Sequence, residues 1–365
     1  MNQDENRREP LPDPADRPEP QENAPKKTRV PFYRWLLPWK GDAPREVVYK
    51  IVFLIAGCVF LVCAGILTNE FVIEPFQNDA EQQDIRSVYY AASQAVSSAS
   101  PESKPASASS AAPERDALGR LIRFVNLQKI NSDIVGWIKI PNTNIDLPVL
   151  QANAKQPEFY LDHDYNKKYS KYGSIFADYR APVAGEKSKS IILYGHSLRS
   201  RRMFTQLDKY KDLAFCKQNP VFSFDTENGE SQWKIISVFV TNTLPSQGTP
   251  FNYMKTSFAS DSDYLNFVYQ LRIRSMINTG VSFNAKDRIL VLSTCSYEFD
   301  GFREVVVARK VRSGESAAVD TAAVKRNPKT LYPDCWYSKN GGKKPQWPST
   351  YEQAVKQNLL SWSEK

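Results

Sequence analysis

Apolar spacing along the chain separates segments that cannot fold alone from segments that name an element. Residues 1–46 are Pro-rich and charged, with almost no apolar periodicity until Val30. A stretch such as "EPLPDPADRPEPQENAP" cannot bury a core, so a disordered tail is predicted there. The opposite extreme follows. Ile51 to Leu67 is 17 residues without a charge, and Val47–Lys50 extends the run to 21. At about 1.5 Å per residue, a helix of that length crosses a hydrocarbon core of about 30 Å. Lys50 can carry its ammonium to the interface.

Charge orients this span. From Lys26 to Lys50 there are seven Lys or Arg against two acids, whereas residues 70–86 hold five acids and only Arg86. The positive-inside rule puts residues 1–46 in the cytoplasm, with a basic, aromatic juxtamembrane segment, and everything after the span outside. A cleaved signal peptide competes with this reading, but the span lies far from Met1 and is long for an h-region. We take 47–69 as an uncleaved signal anchor, which makes the membrane the first partner. Residues 70–113 end in "AASQAVSSASPESKPASASSAAP" and read as an extracellular linker.

From Glu114 the pattern turns mainly to strand. "ALGRLIRFVNLQKI" predicts a short amphipathic helix, and Ile134–Ile140 a strand. "IDLPVLQ", "GSIFADY", "SIILYGH", "WKIISVFVTNT", "RILVLSTC" and "EVVVARKV" predict further short strands between turn-rich stretches. Helical patches fall at Met203–Tyr210 and at 261–277, where Tyr264, Leu265, Val268, Leu271 and Ile273 recur near a 3.6 period. Many short strands with a few inserted helices predict a mainly β domain, a barrel or sandwich, over 114–313. Residues 314–365 form a polar extension with scattered Trp336, Trp347 and Trp362, expected to be irregular or partly disordered.

Composition removes several chemistries. Five cysteines without regular spacing make no disulfide framework, and two histidines with no C-x-x-C pair make no zinc site. There is no Gly-rich phosphate loop. No cofactor, metal or nucleic-acid partner is expected, although the net charge is +8. Chemistry must then come from ordinary side chains. Apart from the two cysteines in the span, the thiols are Cys216, Cys295 and Cys335, and the imidazoles are His163 and His196.

His196 ends "SIILYGH" and Cys295 ends "RILVLSTC", each at the end of an apolar strand. Two strands ending on the same side would bring thiol and imidazole together, and a thiol needs such a partner because the thiolate is the nucleophile. The turn "SYEFDG" would bring Arg303 back beside Cys295, where a guanidinium can stabilise a thiolate or an oxyanion. Each residue alone has a plainer role: Cys295 as a buried thiol, His196 as a loop residue, Arg303 as one cation among many. His163, in "YLDHDYN", reads as solvent-exposed. The combination of the three favours a site.

At this point the residues resemble a known family. "YGHS", "LSTCSYEF", "REVVVARKV", "FYLDHDYNKKYSKYGSIFADYR" and "IVGWIKIPNTNIDLPVLQ" are similar to segments of class B sortases, over roughly residues 115–313 and in the family's order of His, Cys, Arg. The family's T-L-x-T-C reads Val291-Leu292-Ser293-Thr294-Cys295 here, departing only at its first position. The resemblance implies a closed sortase β-barrel behind one transmembrane helix. It implies a cysteine transpeptidase that cleaves an Asn-Pro-x-Thr-like sorting motif near the C-terminus of a secreted protein. Cys295 would form a thioester with the motif's Thr, His196 would exchange protons, and Arg303 would hold substrate and oxyanion. The acceptor would be an amine of a cell-wall precursor or a pilin. Ser293, Thr294 and, less directly, Glu298 would line the substrate site, and the region 261–277 would shape substrate choice.

Two rivals stand beside this reading. An L,D-transpeptidase also places His before Cys in an exported β-rich enzyme, but normally shows Ser-His-Gly-Cys where this chain has Leu-Ser-Thr-Cys. A non-enzymatic surface-binding module is the other. Asn327-Pro328-Lys329-Thr330 itself matches N-P-x-T without the apolar span a sorting signal needs. It reads as a turn, or as a self-blocking pseudosubstrate. Cys216 and Cys335 are either paired or free.

Overall fold

The computed structural model describes residues 32–94, 113–198 and 200–364 in two compact units, one ending at Glu74 and the other starting at Pro75. Of the tail expected to be disordered over 1–46, residues 1–31 lie outside the described residues, as does the Ala/Ser/Pro run of 95–112, whereas Phe32–Leu36 and the residues from Pro44 on are helical. In the first unit, α1 (Phe32–Leu36) precedes α2 (Pro44–Thr68), which ends in one π turn, Asn69–Ile73. Pro44 starts α2, where its missing N–H costs nothing. No residue of α2 is buried, and the helix is long and apolar enough to cross a membrane. Lys50 turns back onto Asp42 at 2.7 Å.

The second unit holds α3 (Glu74–Gln94), α4 (Ile122–Ile130), β1 (Ile134–Lys139), β2 (Asp146–Gln151), β3 (Ile175–Ala177) and β4 (Ser190–Tyr194). A 3₁₀ helix (Phe204–Lys211), α5 (Leu213–Gln218), β5 (Val221–Thr226), β6 (Gln232–Thr241) and α6 (Asp261–Ile273) follow. Then come β7 (Ile277–Asn278), β8 (Ile289–Cys295), β9 (Arg303–Lys310), β10 (Lys325–Arg326), α7 (Asp334–Asn340) and α8 (Tyr351–Lys356). Eight strands close a barrel in the order β1-β2-β3-β4-β8-β9-β6-β5, and β7 pairs with β10 separately. The closed barrel with short helices is the predicted fold class.

Core packing explains the apolar runs. Leu290 and Leu292 of β8 face the barrel interior with Val149, Leu193 and Val306, while Ile289 and Val291 pack against Tyr264, Val268 and Leu271 of α6. A strand buried on both faces reads as a continuous apolar run rather than an alternating one. The Ser260 hydroxyl caps α6 by accepting from the Asp263 N–H, and Tyr264 is a core aromatic. Gly136 permits β1 to cross Phe224, whose ring lies 2.5 Å from where a Cβ would stand.

The linker expected over 70–113 does not hold for its first part. α3 is a helix of 21 residues, and its Ile85 and Tyr89 are buried with Leu121, Phe124 and Trp137. Tyr89 stacks on Trp137 at 4.1 Å between centroids and donates to Asp225 Oδ2 at 2.6 Å. An i, i+4 pair makes only a narrow stripe among charged residues, which hides it in the sequence. β5 was also unforeseen, because Ser223 and Asp225 break its apolar content.

The extension is more ordered than expected. Tyr351, Ala354 and Trp362 join the α6 core, and buried Arg309 pairs with Glu315 at 2.6 Å. Asn327 Nδ2 and Thr330 Oγ1 both donate to the Ser275 carbonyl, at 2.7 and 3.1 Å. The Asn-Pro-Lys-Thr stretch is therefore a structural turn, and none of it lines the cleft described below. Cys216 and Cys335 are free, and burial pushes the Cys216 thiol up to about 12.

The aromatic seam of α3 generates a prediction. Tyr89→Ala should destabilise the full chain by about 3 kcal/mol, the ordinary cost of deleting a buried aromatic ring. Denaturant melts of both proteins measure it, and an unchanged midpoint would mean that α3 is not part of the folded domain.

Candidate active site

The site begins with strand direction. β4 and β8 are parallel neighbours, in register from Ser190 opposite Ile289 to Tyr194 opposite Ser293. Parallel strands end at the same edge, so the next residues continue in step. The Gly195 N–H donates to the Ser293 carbonyl at 3.3 Å, and the Thr294 hydroxyl donates to the Gly195 carbonyl at 2.7 Å. Two residues beyond Tyr194 stands His196, and two beyond Ser293 stands Cys295. Gly195 has a steric reason, since a Cβ there would meet the Phe204 ring at 2.9 Å.

Arg303 arrives by the antiparallel route. β8 and β9 form a hairpin in which Cys295 is directly opposite Arg303, as the turn "SYEFDG" predicted. His196, Cys295 and Arg303 are all half-buried and line one cleft of about 670 Å³. His196 lies two residues past its strand rather than at its last position. That places the ring over the barrel rim, where Nε2 is 2.7 Å from the Leu161 carbonyl. A carbonyl only accepts, so Nε2 carries hydrogen in this contact and Nδ1 is left for proton exchange. Arg303 Nη1 donates to the Phe302 carbonyl at 3.2 Å. His163 is half-buried and not exposed as expected; its ring stacks on Phe159 at 3.9 Å.

The other three candidates differ among themselves. Ser293 and Thr294 line the cleft but are 3% and 4% exposed, with both hydroxyls engaged, Ser293 with Tyr253 OH at 2.8 Å. They hold the wall. Glu298 is not among the lining residues: its carboxylate lies 2.5 Å from Lys211 Nζ and accepts from the Ser296 hydroxyl. Burial alone would raise its pKa, but these two partners hold it below the usual carboxylate range.

Several lining residues were missed. Asp178 receives Arg180 through two bonds of 2.9 and 2.6 Å and Tyr194 OH at 2.8 Å, forming one side of the cleft. Burial pushes the Asp178 carboxyl up, and the Arg180 and Tyr194 bonds outweigh it, leaving the pKa lowered. Phe251, Asn252 and Tyr253 form another side, from the loop between β6 and α6. That loop has no apolar period, so only its proximity in space reveals it. Among the described residues no three His, Cys, Asp or Glu side chains cluster as metal ligands would.

The chain is similar to known proteins. Residues 138–311 match the sortase domain family. The chain is 36% identical over 192 residues to sortase B of Staphylococcus aureus, which covers 52% of this chain and 75% of that protein. It is also 36% identical over 175 residues to sortase B of Listeria monocytogenes, covering 48% and 68%. A Staphylococcus aureus sortase B–substrate complex superposes with a TM-score of 0.55 at 30% identity, over 66% of this chain and 99% of that one. A barrel carrying a rim thiol with these relatives defines a cysteine transpeptidase of the sortase class. Within that class, the chain belongs to the sortase B family. Neither an L,D-transpeptidase nor a non-enzymatic binding module finds support in these likenesses.

Beneath the hairpin, Glu304 is buried opposite Thr294, and burial pushes its pKa up to about 7 despite the Lys211 ammonium at 3.2 Å. A folded-state pKa above the unfolded value favours the protonated folded state. Its contribution to stability is present below the ordinary carboxylate pKa and is lost as pH rises through about 7. Glu304→Gln should flatten the decline in melting temperature between pH 5 and 7.5. An unchanged slope would show that Glu304 does not titrate there.

Proposed function

We propose that Cys295, His196 and Arg303 carry out sortase B transpeptidation at the rim cleft, with the observation that carries it being their convergence through the β4–β8 and β8–β9 pairings. The Cys295 thiolate attacks the carbonyl carbon of the Thr in an Asn-Pro-x-Thr-like motif. The oxyanion of the tetrahedral intermediate faces the Arg303 guanidinium. As the scissile C–N bond breaks, His196 gives its proton to the leaving amine, and an acyl thioester remains on Cys295. An incoming primary amine then attacks the thioester, His196 takes its proton, and the thiolate leaves. The donors are secreted proteins bearing the motif near their C-terminus. The acceptor is an amine of a cell-wall precursor or of a pilin.

Compartment supports the same reading. With α2 as a signal anchor and the basic flank of 26–50 in the cytoplasm, the barrel lies outside, where exported substrates and wall amines are found. Ser293 and Thr294 serve the substrate by holding the wall, and the Phe251–Tyr253 loop with α6 selects the residues of the motif.

The test uses the full chain in detergent with a quenched fluorescent peptide carrying Asn-Pro-Lys-Thr. Cys295→Ala should abolish cleavage, and His196→Ala or Arg303→Ala should lower kcat by about 100-fold or more. Added hydroxylamine should release the acyl group as a hydroxamate with the parent protein only. Turnover that survives Cys295→Ala would refute this reading.

A further inference from the structure

The 3₁₀ helix Phe204–Lys211 touches both halves of the reacting set. At its first residue, the Phe204 N–H donates to the His196 carbonyl at 2.9 Å, and the Phe204 ring packs under Gly195. Its middle is fixed, because Phe204, Leu207 and Tyr210 are fully buried in the barrel core. At its last residue, the Lys211 ammonium sits among three acceptors. They are Glu298 Oε1 at 2.5 Å, Glu304 Oε2 at 3.2 Å and Ser296 Oγ at 3.3 Å. Ser296 follows Cys295 and Glu304 follows Arg303, so Lys211 grips both flanks of the hairpin that carries the thiol and the guanidinium. The Ser296 N–H to the Phe302 carbonyl, at 2.9 Å, closes that hairpin between them.

We infer that Lys211 is a positioning residue for transpeptidation: through this helix it sets the spacing of His196 from Cys295 and Arg303. The inference rests on the assignment of those three residues above. Lys211 does not touch the cleft, so it acts through the backbone it holds. The grip is charge-driven and specific. Glu304 is 2% exposed, and its Oε1 has no partner among the described residues, so without the ammonium a buried carboxylate would stand alone. Such a group takes up a proton or turns toward water, and either response moves the first residue of β9. Removing one partner of a buried ion pair leaves the other charge uncompensated. A displacement of about 1 Å between reacting groups can cost about 100-fold in rate.

The full chain is assayed in detergent with the Asn-Pro-Lys-Thr peptide, as Lys211→Met, Lys211→Arg, Glu298→Gln and Cys295→Ala. Lys211→Met should lower kcat about 10- to 100-fold with KM within about twofold of the parent, and Lys211→Arg should recover most of the loss. If Lys211→Met does not fold, Glu298→Gln decides, because it removes the negative charge facing Lys211 at a partly exposed position without stranding a buried charge. It should lower kcat severalfold with an unchanged melting temperature. A parental kcat in Lys211→Met, or in Glu298→Gln where that variant decides, would overturn the inference. So would equal impairment of the Met and Arg variants, or a Glu298→Gln effect confined to KM. A normal kcat in Lys211→Met beside an inactive Cys295→Ala would sink the positioning role alone. Activity in Cys295→Ala would sink the underlying assignment and the positioning role with it.

Discussion

The pairing of β4 with β8 is the constraint on which everything else at the rim depends. An antiparallel pair would send the two strands to opposite edges, with the imidazole at one end of the barrel and the thiol at the other. The parallel pair sends both to one edge, in register. Parallel neighbours also require a long crossover between them. Here that crossover, from Gly195 to Arg288, contains the 3₁₀ helix, two further barrel strands and α6. The same excursion that makes the pairing possible supplies the loop walling the cleft.

The rim is polar on top and ionic underneath. Asp178 with Arg180, and Lys211 with Glu298 and Glu304, are ion pairs at the edge of an apolar barrel. Their value is directional. Each fixes a backbone segment bordering the cleft, while the core strands behind them supply the stability.

Much of this was legible in the sequence, for physical reasons that differ from residue to residue. β8 announced itself because both of its faces are buried, and Cys295 because it ends that run. His196 and Arg303 could be paired with it only by assuming strand ends that meet, and the family resemblance supplied the order. What was hidden lies where chain distance and spatial distance part company. α3 buries Ile85 and Tyr89 in a stripe too narrow to show above its charges. Tyr253 sits on a loop without a period. Lys211 is one of many cations, and only the fold reveals that it touches both flanks of a hairpin 85 or more residues away. The family resemblance placed Glu298, less directly than Ser293 and Thr294, at the substrate, but the turn aims it back toward Lys211.

The extension after β9 is tied to the segment that leads into the cysteine strand. Trp362 covers the guanidinium of buried Arg272 at 4.5 Å, and its carbonyl accepts from the Phe283 N–H just ahead of β8. Arg312 joins Asp287 to Glu364 across the same corner. The segment leading into the cysteine strand is therefore held by residues 77 to 79 positions further along the chain, Glu364 from Asp287 and Trp362 from Phe283. The approach to the cysteine strand therefore keeps its packed form only while the extension lies folded against it.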